Sequence, residues 1–331
     1  SDGFIIVTPN PSPSDDDETT DTGSQTTVES QVITNTSSTQ SGTAALVENS
    51  GNNDNVVTAT LPPGVSITTE GSVDAESTTA AQDTLIASID TRDSSSETEL
   101  IDAAISFIQQ LPQASMVDVR TIIPTTTSSA PGQPIVITGS TATATAADNT
   151  QTEAFVIDLT QMPSAAPTQL ELHNIDYSVI IGPAQITGGS GSNIVHADNA
   201  PQLIILGADD DTLDGGGGND TIGSAAGDDL LIGGQGRDLI TGGTDNDTLQ
   251  GGSQADTLTG GSGDDSLFGG QGHDTLQGSS GDDILNGEAK HDLLKGGGGN
   301  DSLSGGTGKD NLQGSSGDDV LNGDAKRDLL K

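Results

Sequence analysis

The stretch GGSGDDSLFGGQGHDTLQ (260–277) decides the fold of this chain. It contains two nine-residue units in one frame, each with Asp at its sixth position and Leu at its eighth. The frame continues without insertion or deletion over residues 206–331, where fourteen units all carry Asp at position six and Leu or Ile at position eight. Fourteen units in one phase indicate a repeat architecture, which glycine richness alone does not produce.

The first six residues of each unit predict a metal-binding turn. Glycine adopts positive φ without strain, so the turn can point backbone carbonyls inward while one carboxylate completes a cage of oxygens. Oxygen ligands suit calcium better than zinc or copper, and the chain has no Cys and only four His. The predicted calcium ligands are the sixth-position aspartates Asp211, Asp220, Asp229, Asp238, Asp247, Asp256, Asp265, Asp274, Asp283, Asp292, Asp301, Asp310, Asp319 and Asp328.

The last three residues of each unit read polar, apolar, polar and predict a short strand with one aliphatic side chain facing a core. Two turns and two strands then make one coil of eighteen residues. Seven such coils, at about 4.8 Å per layer, would stack to roughly 34 Å. The fold class predicted for this region is all-β.

These units resemble the RTX, or haemolysin-type calcium-binding, repeat, whose nonapeptide is G-G-x-G-x-D-x-U-x. The resemblance implies a right-handed parallel β-roll with calcium held between successive turns on one edge. It also implies that Asp220 and Asp238 share an ion, as do Asp229 and Asp247. Proteins of this kind commonly leave Gram-negative bacteria by type I secretion, so the resemblance implies a secreted, extracellular location, with cell-surface association as one form of it.

Calcium is predicted to control folding of the repeats. One buried Leu per unit does not offset the entropy lost on ordering nine residues, and carboxylates stacked along one edge repel each other. Without metal the repeats should be unfolded. Extracellular calcium modules bind at about 0.1 to 1 mM, so a cytosolic copy would stay empty and an exported one would fill and fold.

The two edges of the predicted roll differ at position five of the unit. We name them by that residue. The acidic edge carries Asp210, Asp228, Asn246, Asp264, Asp282, Asn300 and Asp318, and the basic edge carries Asn219, Arg237, Ala255, His273, His291, Lys309 and Arg327. The basic edge also has Lys290 and Lys326 at position four, where Lys adopts positive φ less freely than Gly. We therefore expect weak or absent ions around Asp292 and Asp328, and full occupancy of the acidic edge from Asp247 to Asp319. Solvent exposure and inheritance by duplication explain the same asymmetry, because residues 278–295 recur as 314–331.

The chain changes character before the repeats. Residues 1–82 are rich in Ser, Thr, Asp and Gly and are interpreted as a disordered linker. A helical segment follows at 83–115, with Ser96 and Glu99 as a capping box, an apolar face from Leu100 to Leu111, and Pro112 as its end. Residues 116–187 carry short β-type runs and favour a solenoid over a small sandwich. Residues 188–205 continue the frame with Asn193 and Gln202 at position six, and are interpreted as metal-free capping coils.

Composition and motifs narrow the function. The formal net charge is −40, which disfavours nucleic acid and anionic membranes as partners. No H-E-x-x-H or G-x-S-x-G motif is present, and we expect no catalytic role. His173, His196, His273 and His291 are too dispersed for a zinc site, with surface placement favoured for the last two. No run of 18 apolar residues predicts a membrane span.

Three functional classes remain open. The first is a secreted calcium-binding module that serves as a structural, surface-layer or adhesive segment, with cell-surface or matrix contact as its role. The second is the calcium-dependent folding and secretion module of a larger secreted hydrolase, protease or cytolysin, since the chain lacks an initiator Met and looks like a fragment. The third, ice binding through outward Thr columns, is weak because Leu230 interrupts the column of Thr212 and Thr248. End-to-end self-association through the last coil is a further prediction.

Overall fold

Two long β-sheets run through the computed structural model, which describes residues 4–7, 28–36, 41–47, 57–72, 76–92, 97–112, 115–126, 135–138, 151–162, 168–173, 175–188 and 191–331. The elements before the repeats are β1 (Phe4–Val7), β2 (Val28–Asn35), β3 (Gly42–Val47), β4 (Val57–Leu61), β5 (Val65–Ser72), β6 (Glu76–Ser77), α1 (Thr78–Asp90), α2 (Glu97–Gln110), β7 (Met116–Thr126), β8 (Ile135–Thr138), β9 (Gln151–Asp158), β10 (Thr168–His173), β11 (Tyr177–Ile181) and β12 (Ala184–Gly188).

The repeats and the two units before them supply the remaining strands. These are β13 (Ile194–Ala197), β14 (Leu203–Ile205), β15 (Thr212–Asp214), β16 (Thr221–Gly223), β17 (Leu230–Gln235), β18 (Leu239–Thr244), β19 (Thr248–Ser253), β20 (Thr257–Ser262), β21 (Ser266–Gln271), β22 (Thr275–Ser280), β23 (Ile284–Asn286), β24 (Leu293–Gly298), β25 (Ser302–Ser304), β26 (Asn311–Ser316), β27 (Val320–Asn322) and β28 (Leu329–Leu330).

Successive strands alternate between the two sheets, so the chain winds as a solenoid. The first sheet has the order β1-β2-β5-β7-β9 and then every odd strand to β27, with β6 paired to β7, whereas the second holds β3, β4 and every even strand from β8 to β28. Pairing is parallel from β7 and β8 onward and antiparallel before them. Equivalent residues pair eighteen positions apart, as Leu249 does with Leu231. The predicted all-β fold and its parallel β-roll are confirmed.

The core of the roll (residues 206–331) is two columns of eighth-position side chains, one from each sheet. Leu249 and Leu267 on the first sheet and Leu258 and Leu276 on the second are fully buried. The polar residues on either side of each Leu point outward, because successive side chains of a strand alternate between its faces. One aliphatic residue per strand therefore closes the core.

The residues before the roll form a thicker body that we call the N-terminal cap (described residues 28–188). Its core continues the interior of the roll through Ile67, Ile122, Phe155 and Ile157. The two helices cover the outer face of the first sheet, where Leu85 and Phe107 pack with Tyr177 in a second apolar cluster. The first coils of the roll therefore stack on an apolar body.

The described part of residues 1–82 is not the linker that the composition predicted. Strands β2 to β5 lie there, and Pro62, Pro63 and Gly64 connect β4 to β5. Val57 and Leu61 face the core while threonines between them point outward, so a β pattern was hidden in a Thr-rich composition.

The helical segment contains two helices where one was predicted. Helix α2 ends at Gln110, before Pro112 as expected, and its proposed cap residue Ser96 lies outside the described residues. Helix α1 was missed because only a narrow stripe of Ala81, Leu85 and Ile89 is buried. No helix among the described residues is long and apolar enough to cross a membrane.

Candidate metal centre

The turns of the roll have the backbone shape that their glycines allow. Positions two and four of the unit lie at positive φ, for example Gly261 at 132° and Gly263 at 136°. A Cβ on Gly263 would overlap the carbonyl oxygen of Asp245 in the coil before. Glycine at position 263 therefore serves both the backbone angle and the close approach of two coils, whereas other units hold positive φ with Asp, Ser, Gln, Glu or Lys.

The sixth-position aspartates form a continuous ladder along each edge. Oδ1 of every one of the fourteen accepts the backbone N–H of the residue eighteen positions earlier. Typical distances are 2.8 Å from Asp220 N to Asp238 Oδ1 and 3.0 Å from Asp229 N to Asp247 Oδ1. The two pairs predicted to share ions are thus neighbours in space, and one oxygen of each carboxylate is committed to holding coils together.

The second oxygen of these carboxylates has no partner. Oδ2 is buried without a hydrogen bond in eleven of them: Asp220, Asp229, Asp238, Asp247, Asp256, Asp265, Asp274, Asp283, Asp292, Asp301 and Asp310. A buried, unsatisfied carboxylate oxygen is costly, and a row of them is far outside what a folded protein tolerates without a proton or a cation. In the last coil, Asp319 and Asp328 are only partly buried.

A small space faces the unpartnered oxygen in several units. At Gly251, an added Cβ would lie 2.6 Å from Asp256 Oδ2 and 2.6 Å from the carbonyl oxygen of Gly269 in the next coil. Gly233 makes the same arrangement with Asp238 Oδ2 and the Gly251 carbonyl, at 2.6 Å and 2.8 Å. Carboxylate and carbonyl oxygens thus converge on a space kept open by the first glycine of the unit, and they fit a hard cation such as calcium.

Backbone oxygens must supply most of each cage. Among the described residues, no three His, Asp or Glu side chains gather into a site that side chains alone could form. One carboxylate per turn with several carbonyls fits calcium, which accepts six to eight oxygens in flexible geometry. It does not fit zinc, which prefers four nitrogen and sulfur ligands.

Burial raises the pKa of these carboxyl groups. It raises the pKa of Asp220, Asp247, Asp256, Asp283 and Asp292 to about 7, with repulsion from stacked aspartates adding to the effect and the backbone hydrogen bond opposing it. For Asp211 and Asp265 the pKa rises to about 6, again mainly through burial. Burial thus makes the charged form of these carboxyls costly in the metal-free turns, a cost that a bound cation would offset.

Comparison with known proteins agrees with this geometry. The family model of the RTX calcium-binding nonapeptide repeat matches residues 187–330 in seven overlapping windows. Residues 187–330 therefore consist of RTX calcium-binding nonapeptide repeats. No curated protein and no solved structure matches the chain. The RTX repeats make this segment a calcium-binding β-roll module, and which aspartates bind ions stays a prediction.

The fifth-position residues of the RTX roll form a second ladder, in which their side chains accept backbone N–H groups of the neighbouring coil. On the acidic edge, the N–H of Asp282 donates to Asp264 Oδ1 at 2.7 Å, and the N–H of Asp264 donates to Asn246 Oδ1 at 2.8 Å. On the basic edge, His291 N donates to His273 Nδ1 at 3.1 Å. The two imidazoles are exposed neighbours with ring centroids 5.2 Å apart, and this ladder occupies their Nδ1 atoms.

Lys290 and Lys326, at position four of their units, have the positive φ that was expected to be unfavourable for Lys. Their φ values are 93° and 85°, and the preceding Glu288 is also left-handed at 67°. A left-handed L-residue costs roughly 1 to 2 kcal/mol. The structure keeps the turn shape at these units and stores strain there, which motivates the expectation of weaker ions around Asp292 and Asp328.

Relief of this backbone strain should increase the stability of the roll. We expect Lys290→Gly to stabilise the calcium-filled roll by about 1 kcal/mol, because Gly adopts the left-handed backbone freely. Lys290→Gln is the matched control, since it removes the same charge and keeps the Cβ. Calcium titrations followed by circular dichroism should show a lower midpoint for Lys290→Gly than for Lys290→Gln. Equal midpoints would mean that charge, and not backbone strain, limits this turn.

In the two units before the roll, an amide side chain takes the place of the sixth-position carboxylate. Gln202 replaces the sixth-position Asp, and its Nε2 donates to Asp198 Oδ1 at 3.1 Å and to the Gly182 carbonyl at 3.3 Å. Asn193 Nδ2 likewise donates to the Gly191 carbonyl at 2.5 Å. An amide N–H thus bridges oxygens in these turns, and the absence of metal from these coils stays a prediction. Nothing in the unit motif pointed to Asp198, whose Oδ2 accepts the N–H of Gly182 at 2.7 Å.

The single Tyr of the chain reports on the N-terminal cap. Tyr177 is fully buried and stacks on Phe107 with ring centroids 4.3 Å apart, and the chain has no Trp. Because this cluster uses no metal, we expect the near-ultraviolet dichroism of Tyr177 to persist after calcium removal while the far-ultraviolet signal of the roll is lost. Tyr177→Phe assigns the signal. Simultaneous loss of both signals would show that the cap needs the filled roll.

Proposed function

We propose that this chain is a secreted calcium-binding module that folds when it meets extracellular calcium and then serves as a structural or adhesive segment. The observation that carries the proposal is the row of eleven buried carboxylate oxygens without a partner. Their repulsion and desolvation oppose folding at neutral pH until a cation satisfies them. The N-terminal cap is built on apolar packing and amide hydrogen bonds, and supplies a platform on which coils can stack.

Each part of the chain has a defined role in the proposed process. Sixth-position Oδ2 atoms and first-position carbonyls would hold calcium, which supplies positive charge where carboxylates stack. Oδ1 atoms tie each coil to its predecessor, for example Asp265 to the N–H of Asp247 at 2.9 Å. The glycines keep the cages open. Folding is therefore linked to calcium, and filled coils support their neighbours as in other repeat proteins.

No catalytic role is proposed for this chain. In the roll, side chains that could carry acid–base chemistry accept hydrogen bonds within the turns, as Asp282 and Asp283 do. Asp283 lies in the sixth-position ladder and Asp282 in the fifth-position ladder. The outer faces of the sheets carry mainly Thr, Ser and Gln beside scattered aliphatic residues, which suits a structural surface.

Calcium affinity tests the extracellular part of the proposal. Isothermal titration of the whole chain at pH 7.5 should show several ions binding at about 0.1 to 1 mM, the range of extracellular modules. Magnesium should not substitute, because it demands a rigid octahedral shell. Saturation of the sites at about 0.1 μM, as in cytosolic buffers and the tightest sensors, would contradict calcium-gated folding outside the cell.

Protonation of the buried carboxyls should partly stabilise the folded roll when calcium is absent. Because burial raises the folded pKa of Asp247 and Asp256 to about 7, above the ordinary value of 3.8, the metal-free roll binds more protons when folded. The resulting stability is fully present below about pH 4 and is lost as the pH rises through about 7. Metal-free protein, treated with a chelating resin, should gain β-type dichroism as the pH falls from 8 to 5. A spectrum that stays coil down to pH 4 would contradict the assigned protonation.

Protons and calcium compete for the same oxygens, so the effect on the calcium-bound protein has the opposite sign. The calcium concentration at the folding midpoint should rise as the pH falls from 8 to 6. A midpoint independent of pH over this range would show that the raised pKa values do not belong to the calcium-binding groups.

A further inference from the structure

The charges on the outside of the roll are segregated between its two edges. Residues 206–331 contain 24 Asp and Glu against seven Lys and Arg. Fourteen of the acids are the sixth-position aspartates, which leaves ten acids and seven cations on the surface. Once the sixth-position carboxylates are neutralised, the surface of the roll is close to electrically balanced, and the placement of its charges decides how it meets other surfaces.

The acidic edge presents a row of five Asp and two Asn at position five of the unit. Its fifth-position residues are exposed in all seven coils, and Asp209 and Asp245 at position four add to them. No Lys or Arg lies in any turn of this edge. The ladder fixes the row, since Asp228 N donates to Asp210 Oδ1 at 2.9 Å and the same bond recurs through Asp318. A preorganised row of like charges loses little side-chain entropy on binding.

The basic edge holds five of the seven cations: Arg237, Lys290, Lys309, Lys326 and Arg327. All five are exposed. Among the described residues, no ion pair involves a Lys or Arg of the roll, because the pairs there use Arg92, Arg120, His173 and His196. These cations therefore face solvent and form no ion pair with the described residues, although the roll carries more acids than bases.

We propose that two copies of this chain associate side by side, with the acidic edge of one roll against the basic edge of the other. Both edges repeat once per coil, at about 4.8 Å, so rolls with aligned axes bring the Asp residues of one edge opposite the four coils of the other that carry Lys or Arg. The contact is heterologous, since it joins two different surfaces, and it leaves one free edge of each kind. Association thus continues into rows of rolls. The edge of one roll is small, so each contact is weak and salt-sensitive.

A second copy fits this surface better than a polyanion does. The formal charge of −40 opposes the approach of a polyanion and of a second copy alike, but a polyanion has no cations to offset that repulsion. Another roll brings its own cationic edge to the acidic edge and is complementary on both sides. The proposal rests on the proposed function, because the sixth-position carboxylates must be filled before the edges form and before their net charge falls.

Sedimentation velocity of the whole chain in 5 mM calcium is the test. We expect the weight-average sedimentation coefficient to rise with protein concentration in 50 mM NaCl and to return to the monomer value in 500 mM NaCl. Lys309→Gln/Arg327→Gln should abolish the rise. Lys295→Gln/Lys331→Gln is the matched control, because it removes the same charge from exposed residues at the ninth position of second-sheet units, and should leave the rise intact.

The acidic edge has an equally matched test. Asp264→Asn/Asp282→Asn should abolish association while keeping the ladder, since Asn246 and Asn300 already accept the same N–H bonds at 2.8 Å and 2.9 Å. Charge exchange gives a positive result. Asp264→Lys/Asp282→Lys and Lys309→Glu/Arg327→Glu should each stay monomeric alone and associate when mixed.

Circular dichroism of every variant separates the two proposals. A normal calcium-induced β signal in protein that stays monomeric at 50 mM NaCl would overturn the side-by-side contact and leave calcium-gated folding standing. Loss of the β signal in the unsubstituted chain would overturn calcium-gated folding itself. Association that persists in 500 mM NaCl, or that the edge variants leave unchanged, would also overturn the contact, because it would indicate an apolar interface.

Discussion

Gly281→Ala should prevent the middle of the roll from forming, even at saturating calcium. Gly281 is the fourth residue of its unit and has a φ of 133°, which an L-residue rarely adopts. An added Cβ would overlap the carbonyl oxygen of Gly263 in the preceding coil, and that oxygen belongs to rigid backbone. Both turns are held by backbone hydrogen bonds to the next coil, from Gly263 N to the Ser280 carbonyl at 2.9 Å and from Gly281 N to the Gly298 carbonyl at 2.8 Å. Because neither turn can move without breaking these bonds, we expect a loss of about 3 kcal/mol or more.

The matched control lies one coil further along. Gly298 is the third residue of the unit 296–304, which forms the same edge in the next coil. The nearest atom to an added Cβ there is the Ser279 carbonyl oxygen, at 3.9 Å. Gly298→Ala should leave the calcium midpoint within about twofold of the unsubstituted chain, whereas Gly281→Ala should raise it at least tenfold and lower the final β signal. Equal midpoints for the two variants would mean that coils are spaced more loosely than the structure shows.

Asp265→Asn should weaken calcium-induced folding, whereas Asp264→Asn should not. The two residues are adjacent and lose the same charge, but Asp265 is buried with Oδ2 unpartnered and Asp264 is exposed. Removing one carboxylate from a central calcium cage should raise the calcium midpoint about tenfold, equivalent to roughly 1.4 kcal/mol. Calcium titration of both variants by circular dichroism measures the difference directly.

Without metal, Asp265→Asn should stabilise the folded roll. Burial raises the pKa of Asp265 to about 6, so at pH 7.5 its charge destabilises the metal-free roll. Asn removes that charge and keeps the Oδ1 that accepts the N–H of Asp247. Asp265→Asn should therefore shift the acid-induced folding of metal-free protein to higher pH. A shift to lower pH would contradict a role for this carboxylate as an electrostatic block.

The roll and its aspartates were predictable because each unit carries its own local instructions. Gly263, Asp265 and Leu267 specify the turn, the carboxylate and the core within five residues, and the same spacing recurs in phase. The repeat frame does not show how the two oxygens of each carboxylate differ in role. The division between Oδ1, which joins coils, and Oδ2, which is left for a cation, depends on contacts eighteen residues apart.

The region before the repeats was less predictable because its apolar residues are sparse and its pairing partners are distant. Ile33 in β2 pairs with Ile67 in β5, and Ile67 pairs with Pro124 in β7. Thr and Ser fill the outward positions of these strands, so composition resembled a linker. Helix α1 was hidden for a related reason, since its buried stripe meets Val117 and Val156 on a sheet assembled from several segments.

The most direct test of the account is far-ultraviolet circular dichroism of the whole chain at pH 7.5, titrated from metal-free conditions to about 10 mM calcium, with magnesium in a parallel series. Calcium-gated folding predicts a cooperative coil-to-β transition near millimolar calcium, superimposed on the constant signal of the N-terminal cap and absent with magnesium. A full β signal before calcium is added, or no change at saturation, would contradict it.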